Sequence, residues 1–216
     1  MKAPGRGERI VLATTNPAKL ERLRWLLQGL GLTILPPIAA GDAPAVVEDG
    51  ATHQENAAKK AAAYSRRYTC AAIASDGGLV IPALGAAWDP VHTKRLERLA
   101  PADASDTERI ELLLRLMRPC TGEARTAWWE EALALANRGE IVRQWTAESP
   151  KGRIAQTYRP DLINPGFWAF SLWHIPEYGK SYVELSISER ERLDDHWSRL
   201  KAQVQAYFVE RHGKAT

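Results

Sequence analysis

The order of apolar runs and helix-spaced segments in this chain predicts an α/β fold with an elongated central mixed sheet and flanking helices. Two observations predict it. Short apolar runs alternate with helical patterns through the first part of the chain. Strand patterns then cluster late, with 126–136 and 140–147 joined at Asn137-Arg138-Gly139, a hairpin turn.

The elements follow in order. Ile10 to Ala13 is a short apolar run and reads as a buried strand over about 9–14. Thr14-Thr15-Asn16-Pro17 breaks it, and Leu20, Leu23, Leu26 and Leu27 then fall at helical spacing over about 17–29, up to Gly29 and Gly31. Leu32 to Leu35 reads as a second strand ended by Pro36-Pro37. An acidic loop runs from Gly41 to Gly50, and Thr52 with Glu55 forms a capping box that opens a helix to about Tyr68. Cys70 to Ser75 is a small-residue strand ending in a turn at Asp76-Gly77-Gly78, and Leu79 to Ile81 is a further short strand. Asp106 to Arg118 is an amphipathic helix with Ile110, Leu113, Leu114 and Met117 on one face. Phe167 to Ile175 reads as an aromatic strand, and a long terminal helix starts at Ser188, with Glu191 completing its cap.

Composition narrows the function classes. Of 216 residues, 45% are hydrophobic and 25% charged, which is ordinary for a globular protein, and no apolar run reaches membrane-spanning length. A net charge of +3, evenly spread, gives no footprint for nucleic acid. Residues 1–8 read as a flexible lead without a signal peptide, ahead of a single domain over 9–216, and the expected location is cytoplasmic. The two cysteines, Cys70 and Cys120, lack metal spacing and read as free thiols. His53, His92 and His174 show no partner spacing and are assigned no metal.

Four segments are candidates for chemistry. A strand, turn and helix entry at residues 13–19 directs backbone N–H groups and the positive end of a helix dipole at one spot. Thr14, Thr15 and Asn16 add short polar groups and Lys19 a mobile charge, which suits a polyphosphate, although the glycines of a P-loop are missing. Asp76, followed by two glycines at a strand's carboxyl end, suits a divalent cation or the activation of water, or else is a common Asp-Gly turn. Glu48 and Asp49 are loop oxygens suited to a hard cation, whereas Lys59 and Glu55 read as ordinary helix charges. Late in the chain, aromatics from Phe167 to Trp173 suit stacking on a base, and His, Asp and Arg from Arg190 to His196 suit reading its edge. The competing reading is a core strand and a charged surface helix.

Taken together, these segments resemble the inosine triphosphate pyrophosphatase family. The similarity rests on Ala13-Thr-Thr-Asn-Pro-Ala-Lys19, on Glu48 to Ala57 with Lys60, on Ala74-Ser-Asp-Gly-Gly-Leu79, and on Pro176 to Ser186, in the family's order. The resemblance implies two lobes around a nucleotide cleft, a homodimer, and Mg²⁺-dependent cleavage of a nucleoside triphosphate to monophosphate and pyrophosphate. It implies that Thr14, Thr15, Asn16 and Lys19 grip the triphosphate and that Gly77 lies beside it. Lys60 and Asp76 would be catalytic, with Asp76 and Glu48 on the metal. Phe167, Trp168, Arg190, Asp195 and His196 would face the base.

The departures are uneven. Ser75 and Gly77 replace an aspartate and a serine of the family motif, and Val47 replaces one of a loop acidic pair. Gly166-Phe-Trp-Ala-Phe-Ser171 stands where Gly-Phe-Gly-Tyr-Asp-Pro is usual, and Asp194-Asp195-His196 where Ser-His-Arg is usual. The family's Ser-Ala-Arg-Tyr segment is barely visible in Thr93-Lys-Arg-Leu96. The phosphate half stands and the base half is rewritten, which implies altered base specificity. The alternative is a catalytically weak nucleotide-binding sensor or partner protein of the same fold, motivated by the thinned carboxylates. Trp128, Trp129 and Trp145 are candidates for an apolar dimer patch.

Overall fold

The computed structural model describes residues 4–5, 7–35, 40–93, 99–101 and 103–213. Among them lie eight strands and five α-helices, β1 (Arg9–Leu12), α1 (Pro17–Leu27), β2 (Thr33–Ile34), α2 (His53–Tyr68), β3 (Ala71–Val80), α3 (Asp106–Leu116), β4 (Thr126–Asn137), β5 (Glu140–Glu148), β6 (Gly152–Ile154), β7 (Trp173–Ile175), β8 (Lys180–Ser181), α4 (Ile187–Leu193) and α5 (His196–Gly213). The strands form one mixed sheet in the order β2-β1-β3-β4-β6-β7-β8, with β5 paired to β4. β1 runs parallel to β2 and β3, whereas β4, β6, β7 and β8 pair antiparallel. This is the α/β fold expected from the sequence.

The chain divides into two compact units. The first comprises residues up to Asp76, Glu131–Ala147 and the segment from His196, and the second Gly77–Glu130 and Glu148–Asp195. In the first unit the strands alternate strictly between two faces. Ile10, Leu12, Ala71, Ile73, Leu133 and Leu135 bury against the leucines of α1 and against Leu200, Val204 and Phe208 of α5. Val11, Ala13, Ala72, Ala74, Ala132, Ala134 and Ala136 bury against Ala57, Ala61 and Tyr64 of α2. The second unit has an aromatic core in which Trp129 meets Phe170 at 4.6 Å and Trp173 meets Tyr182 at 4.8 Å between ring centroids. Beside it the buried Arg125 guanidinium donates to the carbonyls of Met117, Ile154 and Ala155, so its charge meets carbonyl dipoles instead of water.

Several expectations are corrected. β3 does not stop at Asp76-Gly77-Gly78 but continues to Val80, and the two glycines stay extended. Gly78 is needed for a close approach, because a Cβ there would lie 1.9 Å from the Pro90 carbonyl oxygen. The aromatic segment is not one strand, since Trp168–Ser171 forms a 3₁₀ turn ahead of the three-residue β7. The terminal helix is two helices, broken where Asp194 adopts the left-handed conformation (φ 54°), and the capping box of α4 is Ser186 with Glu189. At α2 the Thr52 hydroxyl accepts from Glu55 N, but the Glu55 carboxylate takes the N–H of Ala51 and not that of Thr52. β6 and β8, at three and two residues, carry too little pattern to be read from sequence.

The hairpin turn stands as expected, with Arg138 and Gly139 both at positive φ. Cys70 and Cys120 are free thiols. Among the described residues no helix is long and apolar enough to cross a membrane. Pro36-Pro37, Lys94 to Leu96 and part of the expected lead, at residues 1–3 and 6, lie outside the described residues.

Candidate active site

Parallel pairing of β1 with β3, Leu12 opposite Ile73, brings the Thr14–Asn16 turn and Asp76 to the same carboxyl end of the sheet. By the two-residue period Asp76 shares the face of Ala72 and Ala74, toward α2. The residue is 7% exposed, and its carboxylate is held by two groups of that helix: His53 Nδ1 lies 2.8 Å from Oδ2 and Lys60 Nζ 2.6 Å from Oδ1. Burial raises the carboxyl pKa, but the His53 hydrogen bond and the Lys60 and Lys19 charges overcome it and hold the group well below the usual carboxylate range. Asp76 is therefore ionised at neutral pH.

The same ammonium lies 3.4 Å from Glu48 Oε2. Glu48 comes from the acidic loop, which is fastened to the start of α2 because Gly50 N donates to Asn56 Oδ1 at 2.8 Å. A Cβ at Gly50 would lie 2.7 Å from Asn56 Oδ1, so this approach requires glycine. The outer loop charge, Asp49, pairs instead with the exposed Lys59. Asp76 Oδ1 and Glu48 Oε2 thus already meet at one cation, the Lys60 ammonium. That arrangement fits a divalent ion bound by one or two carboxylates plus water and substrate phosphate. Among the described residues no three His, Cys, Asp or Glu side chains form a ready-made cage.

On the opposite face of the sheet the Lys19 ammonium lies 3.5 Å from Glu131 Oε1 and 3.5 Å from the Ser75 carbonyl oxygen. Burial alone lowers the pKa of this lysine, but Glu131, Asp76 and Glu48 together raise it. Sequence reasoning missed Glu131. Its signal is a carboxylate at a position that shares the parity of Leu133 and Leu135 and must therefore point into the core. His53, assigned no partner from sequence, is seven residues before Lys60 and on the same helix face, which is a legible spacing.

The turn differs from the cradle expected. Asn16 is the N-cap of α1: its Oδ1 accepts from Ala18 N and Lys19 N, while Asn16 N donates to Thr14 Oγ1. Three N–H groups are thus already engaged by local side chains, leaving Lys19, the exposed Thr15 and the helix dipole to meet an anion.

The phosphate candidates Thr14, Thr15, Asn16, Lys19, Glu48, Lys60 and Asp76 all belong to the first unit, and His196, wholly buried, belongs there too. Gly77, Phe167, Trp168, Arg190 and Asp195 belong to the second. Trp168 is not an open stacking face, since it is 1% exposed with its ring edge-on to Trp88. Phe167 keeps some exposure and stacks on Phe170 at 5.3 Å. Arg190 lies 4.8 Å over the Tyr182 ring, and the Tyr182 hydroxyl donates to the buried Asp195 carboxylate. Of the three interface candidates, Trp129 and Trp145 are core residues, and only Trp128 is partly exposed, under Lys151.

Residues 10–205 match the model of the Ham1 family. The chain is 34% identical over 203 residues to the dITP/XTP pyrophosphatase of Thermus thermophilus, covering 94% of this chain and 93% of that protein. It is 37% identical over 184 residues to the dITP/XTP pyrophosphatase of Gloeobacter violaceus, covering 85% and 86%. The solved structure of a HAM1 protein from Coxiella burnetii superposes with a TM-score of 0.76 at 27% identity, covering 94% of this chain and 99% of that one. With a family match across nearly its whole length and relatives this similar over nine-tenths of theirs, this chain belongs to the Ham1 family.

Proposed function

We propose that residues 9–216 act as one pyrophosphatase-like domain that hydrolyses a nucleoside triphosphate to monophosphate and pyrophosphate with Mg²⁺. The observation that carries this reading is the buried Asp76 carboxylate, which meets Glu48 at the Lys60 ammonium. Relatives named dITP/XTP pyrophosphatases support the reaction class.

In this reading Lys19 and Lys60, now paired with Glu131, Asp76 and Glu48, turn toward the phosphates and offset their charge. The exposed Thr15 adds a hydroxyl at the turn. Asp76 and Glu48 would hold the Mg²⁺, which when bound would polarise phosphate oxygens and lower the pKa of bound water. As Lys60 shifts to the substrate, Asp76 Oδ1 is released from its ion pair. Asp76 can then accept a proton from water as the water oxygen bonds to phosphorus. The bridging oxygen between the α and β phosphates leaves with the bonding pair. The enzyme works as a homodimer in the cytoplasm, where free thiols persist.

The base preference proposed is not that of an ITP or XTP enzyme. Burial of Trp168 and the engagement of Asp195 and Arg190 with Tyr182 support a rearranged base half. The test is pyrophosphate release from a panel of purine, pyrimidine and modified triphosphates with Mg²⁺, for wild type and Asp76→Asn. Turnover abolished by the substitution, with a preferred base other than hypoxanthine or xanthine, is expected. A clear preference for ITP or XTP overturns the base assignment. Equal slow rates with nucleotide still bound favour the sensor, a reading to which Ser75, where the family motif has an acid, lends support.

A further inference from the structure

We infer that His53 is a positioning residue for Asp76, holding one carboxylate oxygen through its Nδ1 so that the other is presented alone to the cation. The inference rests on the function proposed above and concerns a residue with no part in the phosphate or metal contacts.

The geometry divides the two oxygens. Oδ2 faces His53 Nδ1 at 2.8 Å, and Oδ1 faces Lys60 Nζ at 2.6 Å. An ionised carboxylate only accepts, so the proton of this bond is on Nδ1. Among the described residues His53 Nε2 is buried and has no hydrogen-bond partner. His53 is 6% exposed and is fixed as the first residue of α2, directly after the Thr52 cap. Seven residues later Lys60 lies two turns along on the same helix face, and its long side chain leans back toward the helix start. Both donors thus come from one rigid element.

The consequence is rotational. A carboxylate turns readily about its last torsion, and a lysine ammonium alone donates to either oxygen in many orientations. A second donor from a fixed ring selects one plane and one exposed oxygen. Without it, Oδ2 of a buried charge loses its one side-chain donor among the described residues, and the carboxylate is free to swing or to close on Lys60 with both oxygens. Outer partners of this kind typically change metal affinity or activity by about 10–100-fold.

The experiment compares wild type, His53→Phe, which fills the space without a donor, and His53→Asn, whose amide nitrogen can stand near the place of Nδ1. One readout is binding of Mn²⁺ alone to the nucleotide-free protein, followed by electron paramagnetic resonance. The other is kcat and KM for pyrophosphate release. His53→Phe is expected to weaken Mn²⁺ binding and lower kcat by about 10-fold or more with KM little changed, and His53→Asn to recover most of both. Wild-type behaviour of His53→Phe in both readouts overturns the inference. So does equal impairment of the two variants when circular dichroism shows both folded, which is a packing effect. If wild type releases no pyrophosphate from any triphosphate, the proposed function falls, and the Mn²⁺ comparison still decides the role of His53.

Discussion

Asp76 combines depth with a complete set of partners, and this fixes what its loss does. Asp76→Asn preserves shape but removes the charge that Lys60 and Lys19 answer. Pyrophosphate release is expected to fall by about 100-fold or more, as measured by a coupled phosphate assay. Glu131 plays a different part on the other face of the sheet. Glu131→Gln removes the deeply buried carboxylate that is the nearest counter-charge of the half-buried Lys19, and a loss of about 2–5 kcal/mol is expected in urea unfolding. A loss under 0.5 kcal/mol would sink the view that this pair is a structural counter-ion as well as a phosphate grip.

Among elements, the cap of α4 carries a pH signature. Lys180 and the Ser186 backbone and hydroxyl hold the Glu189 carboxyl down at about 2, against an ordinary 4.5. A depressed carboxyl stabilises the folded state above its unfolded value, and that contribution fades as pH falls from about 4.5 through about 2. Carbon-detected NMR of the Glu189 carboxyl should give a midpoint near 2, and a midpoint near 4.5 refutes the cap geometry. The β4–β5 hairpin gives a second test. A Cβ at Gly139 would lie 2.4 Å from Arg66 Cγ at a φ of 89°, so Gly139→Ala should cost about 1–2 kcal/mol in urea unfolding. What sequence reveals at this scale follows from periodicity. α1, α2, α3 and the hairpin are long or well punctuated and were legible. The passage of β3 through Asp76-Gly77-Gly78 was not, because a local turn signal cannot register that the Pro90 carbonyl demands a glycine from a distant segment. The α4–α5 break was hidden likewise, since Asp194 is not a residue that announces a stop. Within the site, Lys19, Lys60, Asp76 and Glu48 were legible from motif and spacing, whereas Glu131 and His53 carried only weaker signals, a strand parity shared with Leu133 and a seven-residue spacing to Lys60, which gain meaning once the partner on that face is known.

At the scale of the whole molecule, β3 and β4 pass through both units, so neither unit is an independent stretch of chain. The units weight two optical reporters differently. Trp88, Trp128, Trp129, Trp168 and Trp173 lie in the second and Trp25, Trp145 and Trp197 in the first, while the long helices α2 and α5 lie in the first. Tryptophan fluorescence and far-ultraviolet circular dichroism should therefore trace the same denaturant midpoint if the shared strands couple the units. Midpoints that separate would show that they unfold independently. The same threading bears on synthesis at the ribosome. The leucines of α1 are made long before Leu200, Val204 and Phe208, which share their cluster. A nascent chain thus carries an uncovered greasy stripe until α5 has been made, and that helix acts as the latch that ends this exposure.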